Sequence, residues 1–526
     1  MTKCSFGGKI MLIFFEEDTL MTARRLLAFT LSILMLLGAL VACAQTPDPE
    51  DTIPTPEASN AITAAPEATE EETTESLYDE DGYLKSSLPD ELDFGGETVT
   101  ILWWNDVEQP EFFIEQTNGE LINDAIFKRN ANVEEKMGVK LAWVDIKGQY
   151  NSDGQNYANH VGNMYASGDT TYDIISAHSR TIALTAMSGY CAEMTKLDHL
   201  DFEKPWWPQV MLETATINEK LYFVTGDAST NSIHQMYAIF YNKDQLQKYT
   251  NLVEPAQLVD DNNWTMETLF EMTSGLYTDL NNDQKANKGD FFGFTSLNWH
   301  FDAIYYGCGM TMLEKDADTT KLLKVADDWT SEKAITLAAS VGDWINKGDA
   351  YLDSNNYADI FISGNALLVM ARHNDIASKI DNASFKYGIV PMPKYNKDQE
   401  NYYTCMGNPV SLYSIYALSK DANRAAAVLE CWASEAYRTT TPAIFESTFK
   451  LRLSDTSTES RMYDIIRSSV TFDLCRFFNR QLSSMGSEWY KCATTNGSWA
   501  SKSETLMKSV PALLQSIADS FNKINN

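Results

Sequence analysis

Thr98-Val99-Thr100-Ile101-Leu102-Trp103-Trp104 is a run of β-branched and aromatic residues, the composition of a strand. Working outward from it, Ile122, Ile126, Arg129, Val133 and Met137 recur at helical spacing, and Gly138 is a natural helix stop. Val139, Leu141 and Trp143 then alternate with polar partners and predict a second strand. Tyr157, Val161 and Tyr165 fit a helix in a mostly polar stretch, and Tyr172-Asp173-Ile174-Ile175-Ser176 reads as a third strand. Strand–helix–strand–helix–strand predicts an α/β fold with a parallel sheet and right-handed crossovers. In open sheets of this kind ligands sit beyond the carboxyl ends of the strands. That places Trp103, Trp104, Asn105 and Asp106 around a site, with Ala177, His178, Ser179 and Arg180 beside them. Rings next to amide, hydroxyl and guanidinium groups suit a sugar, whose C–H faces stack while its hydroxyls take paired hydrogen bonds.

The chain has 526 residues, enough for two to four domain-sized units. At 44 % hydrophobic and 12 % aromatic it buries a core, which excludes global disorder. With 41 basic and 73 acidic residues the net charge is −32, which argues against nucleic-acid binding and against electrostatic docking to anionic lipid. The single long apolar run, residues 26–42, excludes a polytopic membrane protein. It follows Arg24-Arg25 and ends at Leu40-Val41-Ala42-Cys43, the plan of an export signal over residues 1–42. Cys43 after Leu-Val-Ala resembles a bacterial lipobox, in which the thiol is acylated and becomes the first mature residue. The rival reading is a short membrane anchor. Met21 gives a signal of ordinary length, so translation is expected to start there.

Residues 44–90 hold 13 acidic residues and one basic one, Lys85, among many Thr, Pro and Ala. Such a segment buries too little to offset chain entropy, and its charges extend it. Residues 43–92 are therefore expected to be a lipidated acidic tether. Six cysteines (Cys191, Cys308, Cys405, Cys431, Cys475, Cys492) are scattered with no C-x-x-C, which disfavours a zinc or redox site. Buried thiols are the expectation; exported proteins also form disulfides, whose pairing cannot be deduced. No H-E-x-x-H, G-x-S-x-G or Walker loop occurs, so no cofactor is required and no catalytic residue is nominated.

Further along, Trp264-Thr265-Met266-Glu267 looks like a helix start. Ala366-Leu367-Leu368-Val369-Met370 reads as a buried strand, and Tyr387-Gly388-Ile389-Val390 as a strand stopped by prolines. Ala425, Leu429 and Trp432 mark a helix. Leu506, Val510, Leu513, Ile517, Phe521 and Ile524 mark a C-terminal amphipathic helix with a kink at Pro511. The loop 279–290 places Asp279, Asn281, Asp283, Asn287 and Asp290 at positions one, three, five, nine and twelve. This resembles a calcium loop, with Lys285 at the seventh position. Gln284 stands where that loop has its turn glycine, and Asp290 where it has a bidentate glutamate. An Asn/Asp-rich turn capped by its own side chains is the alternative.

In this order, several segments resemble the extracellular solute-binding proteins of ABC importers, the family that includes maltose-binding protein. They are residues 98–105, the stretch Asn130-Ala131-Asn132-Val133-Glu134-Glu135-Lys136-Met137-Gly138-Val139-Lys140-Leu141, residues 172–176, 221–226, 238–243, 361–367, 387–394 and 413–420. The resemblance implies a two-lobed fold of the periplasmic-binding type II, with discontinuous lobes joined by a hinge. Lobe one is expected at 93–238 plus 360–410, and lobe two at 239–359 plus 411–526. It further implies a monomer that captures a solute, best a carbohydrate, in the cleft and hands it to membrane permease subunits. By position in the family, Asp227, Trp299, Tyr305, Arg372 and Asn408 join Trp103, Trp104, Asn105, His178 and Arg180 as candidate ligand contacts. Gly407 would let backbone approach a ligand. Two other readings remain open. One is a surface carbohydrate-active enzyme, which needs two carboxylates flanking a glycosidic bond. The other is a peptide or sensory receptor of the same fold.

Overall fold

In the computed structural model, residues 77–79, 82–318, 321–452 and 456–524 are described. The apolar run, Cys43 and most of the tether lie outside them. β1 (Glu97–Trp104) runs parallel to β2 (Val139–Ile146) along its whole length, and β3 (Ile174–His178) lies parallel on its other side. α1 (Leu121–Met137) and α2 (Ser152–Ser167) form the crossovers, as the apolar spacing predicts. Gly138 ends α1 at φ +57°, its N–H bonded to the Glu134 carbonyl. A Cβ there would lie 1.8 Å from Asp93 Oδ1, so only glycine fits the turn. α3 (Ser179–Met187) springs directly from β3.

A second sheet is built from β4 (Tyr237–Asn242), β5 (Phe292–Ser296), β6 (Ala350–Leu352), β7 (Ala366–Arg372) and β8 (Tyr387–Val390), in the order β8-β4-β7-β5-β6. β4 is antiparallel to both β7 and β8, whereas β5 is parallel to β6 and β7. β9 (Ser411–Ile415) then returns to the first sheet, antiparallel to β3, giving the order β9-β3-β1-β2.

This topology corrects the expected lobe boundaries. Residues 366–390 do not return to lobe one: β7 is buried on nearly every residue and wedged between β4 and β5 in the second sheet. The return comes instead with β9. The helix after it, Ala422–Arg438, packs on α1 of the first lobe. The chain then crosses again, since helix Glu488–Thr494 packs against Glu332–Asn346 of the second lobe.

Thr265 starts its helix as expected, with a capping box to Thr268. The C-terminal stretch differs from expectation. It is two helices, Trp499–Leu506 and Val510–Asn522, and Pro511 sits in the first turn of the second rather than kinking one helix. A proline there loses no bond, because the first N–H groups of a helix have no intrahelical partner.

The core absorbs much of the aromatic content. Trp104, Trp206, Trp207, Trp264, Trp329, Trp432, Trp489 and Trp499 are all fully buried. No disulfide joins the six cysteines, each of which is a buried thiol. Among the described residues no helix is long and apolar enough to cross a membrane.

Candidate functional site

A cavity of about 440 Å³ opens where the carboxyl ends of the two sheets face each other. The first lobe contributes Glu108 after β1, Gln149 and Tyr150 after β2, His178 at the end of β3, Arg180 in the first turn of α3, and Asn408 before β9. The second lobe contributes Tyr237 at the start of β4, Trp299 and Asp302 after β5, and Arg372 at the end of β7. Asn479, Ser484, Ser487 and Tyr490 close the wall from the C-terminal segment.

His178 caps α3: its Nδ1 accepts from the Arg180 N–H at 3.1 Å. Burial, and secondarily the Arg180 charge, hold its pKa well below the ordinary range. The ring is therefore neutral with its proton on Nε2, and that buried N–H has no partner. The Arg180 guanidinium lies 5.0 Å from the Tyr150 ring centroid, and its Nε donates to the Arg476 carbonyl at 3.0 Å. Burial and the neighbouring Arg476 lower its pKa.

Arg476 pairs with Asp302 at 2.9 Å, both buried. Burial raises the Asp302 carboxyl to about 6 against the opposing pull of Arg476, and its Oδ1 has no partner. Asn408 Oδ1 and Asn479 Oδ1 are likewise buried without partners. Trp299 is 49 % exposed, a large ring with a free face at the cleft.

Arg372 is the hub between the lobes. It meets Glu108 at 2.9 Å, Asp375 at 2.6 Å and Gln235 Oε1 at 2.7 Å. Asn374 also donates to Glu108 at 3.0 Å. Burial works against the Arg372 charge, but the two carboxylates outweigh it and leave the pKa raised. At Gly407 a Cβ would lie 2.7 Å from Gln235 Oε1, so the missing side chain makes room for this network.

The structure thus brings together His178, Arg180, Trp299, Arg372 and Asn408 from both lobes. It does not bring the other five candidates to this cavity. Trp104 is fully buried, and its Nε1 donates to Ser411 Oγ at 3.0 Å. Trp103 packs on Phe112 with centroids 5.2 Å apart. Both rings are claimed by the core of lobe one. Asn105 is exposed and donates to Asp145 at 2.7 Å, tying β1 to β2. Tyr305 is buried against Trp489, its hydroxyl donating to the Thr311 carbonyl. Asp227 pairs with Arg467 at 3.1 Å and lines a second, larger cavity of about 710 Å³ beside Met236, Met406 and Phe445. That cavity has a mostly apolar lining.

Sequence reasoning missed Glu108, Tyr150, Tyr237, Asp302, Asn479 and Tyr490. The rule that found His178 also reaches Glu108 and Tyr150 when applied past β1 and β2. Nothing in the local pattern marks Asn479 or Tyr490.

In the loop 279–290, the carboxylates of Asp279, Asp283 and Asp290 offer oxygens all within 4.8 Å of one another. Asp290 is fully buried and accepts from the backbone N–H groups of Leu280 and Asn287. Gln284 takes the left-handed turn, φ +60°, that glycine takes in a calcium loop. The Asn281 oxygen accepts from the Asp283 N–H, and the Lys285 carbonyl accepts from the Asn287 side chain. The donors are hard oxygens, the chemistry calcium takes.

Two sheets of separate lobes with a polar, ring-bordered cleft between their carboxyl ends define a two-lobed solute-binding protein. The chain belongs to the family of bacterial extracellular solute-binding proteins, whose model matches residues 133–441. No curated protein sequence matches it. Among solved structures it is similar to the cyclic alpha-maltosyl-1,6-maltose binding protein from Arthrobacter globiformis (14 % identity, TM-score 0.54, covering 80 % of this chain and 100 % of that one). It is also similar to the GacH receptor of Streptomyces glaucescens, solved unliganded and with acarbose (15 %, 0.52, 80 % and 99 %). A third is the maltose-binding periplasmic protein MalE from Listeria monocytogenes in complex with maltose (14 %, 0.51, 82 % and 99 %). At these identities the likeness is one of fold.

Proposed function

We propose that this protein is the lipid-anchored receptor of an ABC importer, capturing a carbohydrate in the interlobe cleft and passing it unaltered to the permease. The observation that carries the reading is the convergence of His178, Arg180 and Asn408 from one lobe on Trp299, Asp302 and Arg372 from the other. A half-exposed indole and the Tyr150 ring offer stacking faces. Unpartnered donors and acceptors beside them match the alternating hydroxyls of a sugar. The fold relatives named above bind maltose, a cyclic maltose derivative and acarbose, which supports the same class. The apolar run ending at Cys43 and the acidic stretch after it support export and a lipid anchor on an extended tether. Glu108 and Asp302 are each held by an arginine, which favours capture over bond cleavage.

Thermal-shift screening of the purified chain against mono- and oligosaccharides and peptides tests the reading. A saccharide raises the melting point in step with its excess over Kd and is recovered intact. A response to peptides alone, or recovery of cleaved sugar, overturns it. We also propose that the loop 279–290 holds a structural calcium ion through Asp279, Asn281, Asp283 and Asp290, with the Lys285 carbonyl as the backbone ligand.

A further inference from the structure

Three guanidinium groups stand in or behind the cleft, and two of them are matched. Arg372 has Glu108 and Asp375, and Arg476 has Asp302. Arg180 has no ion pair of its own: its guanidinium meets the Arg476 carbonyl and the Tyr150 ring, and the nearby Asp302 charge that it feels is already held by Arg476. A partly buried cation that shares its nearest carboxylate with a second arginine is costly, and a ligand anion lowers that cost. Beside it, the buried His178 Nε2–H is a second donor without a hydrogen-bond partner. Two unlike donors from residues two apart in the chain, one of them a planar fork, match the paired oxygens of a carboxylate. The unpartnered acceptors of the cleft, Asp302 Oδ1 and Asn408 Oδ1, ask for the opposite chemistry, namely hydroxyl donors.

Resting on the reading of the cleft as a sugar site, we propose that it selects an acidic sugar. Arg180 and His178 hold the uronate carboxylate, while ring hydroxyls donate to Asp302 and Asn408. The same arrangement disfavours a neutral sugar, which leaves the guanidinium with no ion pair of its own.

Calorimetric titration of the purified chain with di- and trigalacturonate, against the neutral galactose oligomers of equal length, tests this. The acidic oligomers are expected to bind at least roughly tenfold more tightly, with an affinity that falls as salt is raised. Arg180→Met abolishes the preference; Arg180→Lys, which keeps the charge and loses the fork, retains part of it and decides the matter if the Met variant does not fold. Equal affinity for neutral and acidic oligomers overturns the inference and leaves the sugar reading standing. So does an Arg180→Met variant with undiminished preference. Failure of every sugar to bind overturns both.

Discussion

A tryptophan's role here is set by whether its ring has a free face. Trp104 has none: truncating it to alanine removes a fully buried indole and the bond to Ser411. It should cost about 3–5 kcal/mol in denaturant unfolding. Trp299→Ala, by contrast, should leave the unfolding midpoint nearly unchanged and weaken sugar binding roughly tenfold, as loss of one stacking ring does. Reversed outcomes in the two measurements would refute the assignment of the cleft. Glu430 makes a separate claim about pH. Its carboxylate receives the indole N–H groups of Trp206 and Trp207 at 2.9 and 2.8 Å, and burial raises its pKa to about 7. The folded state then holds a proton that the unfolded state releases above its ordinary pKa near 4.5. Its stabilising effect is complete below that value and is lost as pH rises to about 7. Relative to Glu430→Gln, the native protein should lose on the order of 3 kcal/mol across that window and nothing further above it. A flat difference between the two proteins over the window would disprove it. At this scale half the site was legible: His178 and Arg180 follow a strand that the sequence names. The two tryptophans of β1 misled because an aromatic pair signals burial as readily as stacking.

Elements were read more reliably than residues. Composition located β1 and β3, and periodicity located α1, β2 and α2, because each carries its own apolar pattern and, in α1, a stop at Gly138. Gly138→Ala should destabilise by more than about 1 kcal/mol, since alanine must take the left-handed turn and its Cβ meets Asp93. A chemical denaturation curve superposing on the native one would contradict this. The loop 279–290 gives a metal-dependent expectation. Calcium at millimolar level should raise the melting point by several degrees, and chelation should reverse it. Asp283→Asn should reduce the response; indifference of the native chain to calcium would dismiss the ion. The boundary between lobes was illegible for a physical reason. An isolated apolar run such as residues 366–370 fits any central strand, and only its long-range partners β4 and β5 assign it to a sheet.

For the whole molecule, the proposed capture has the lobes close on the guest, so small-angle scattering should show a smaller radius of gyration with saturating sugar than without. An unchanged radius despite measured binding would mean a rigid cleft. The hub at Arg372 bears on this equilibrium. Glu108 belongs to the first lobe and Arg372 to the second, and Gln109 and Asn374 repeat the link at 2.5 Å. A charged clasp of this kind, about one-quarter exposed on its acidic side, weakens as ions crowd the solution. Raising the salt should therefore shift the resting balance between the lobes of the same polypeptide. On the proposed reading, capture of a solute at constant supply then varies with the ionic strength outside.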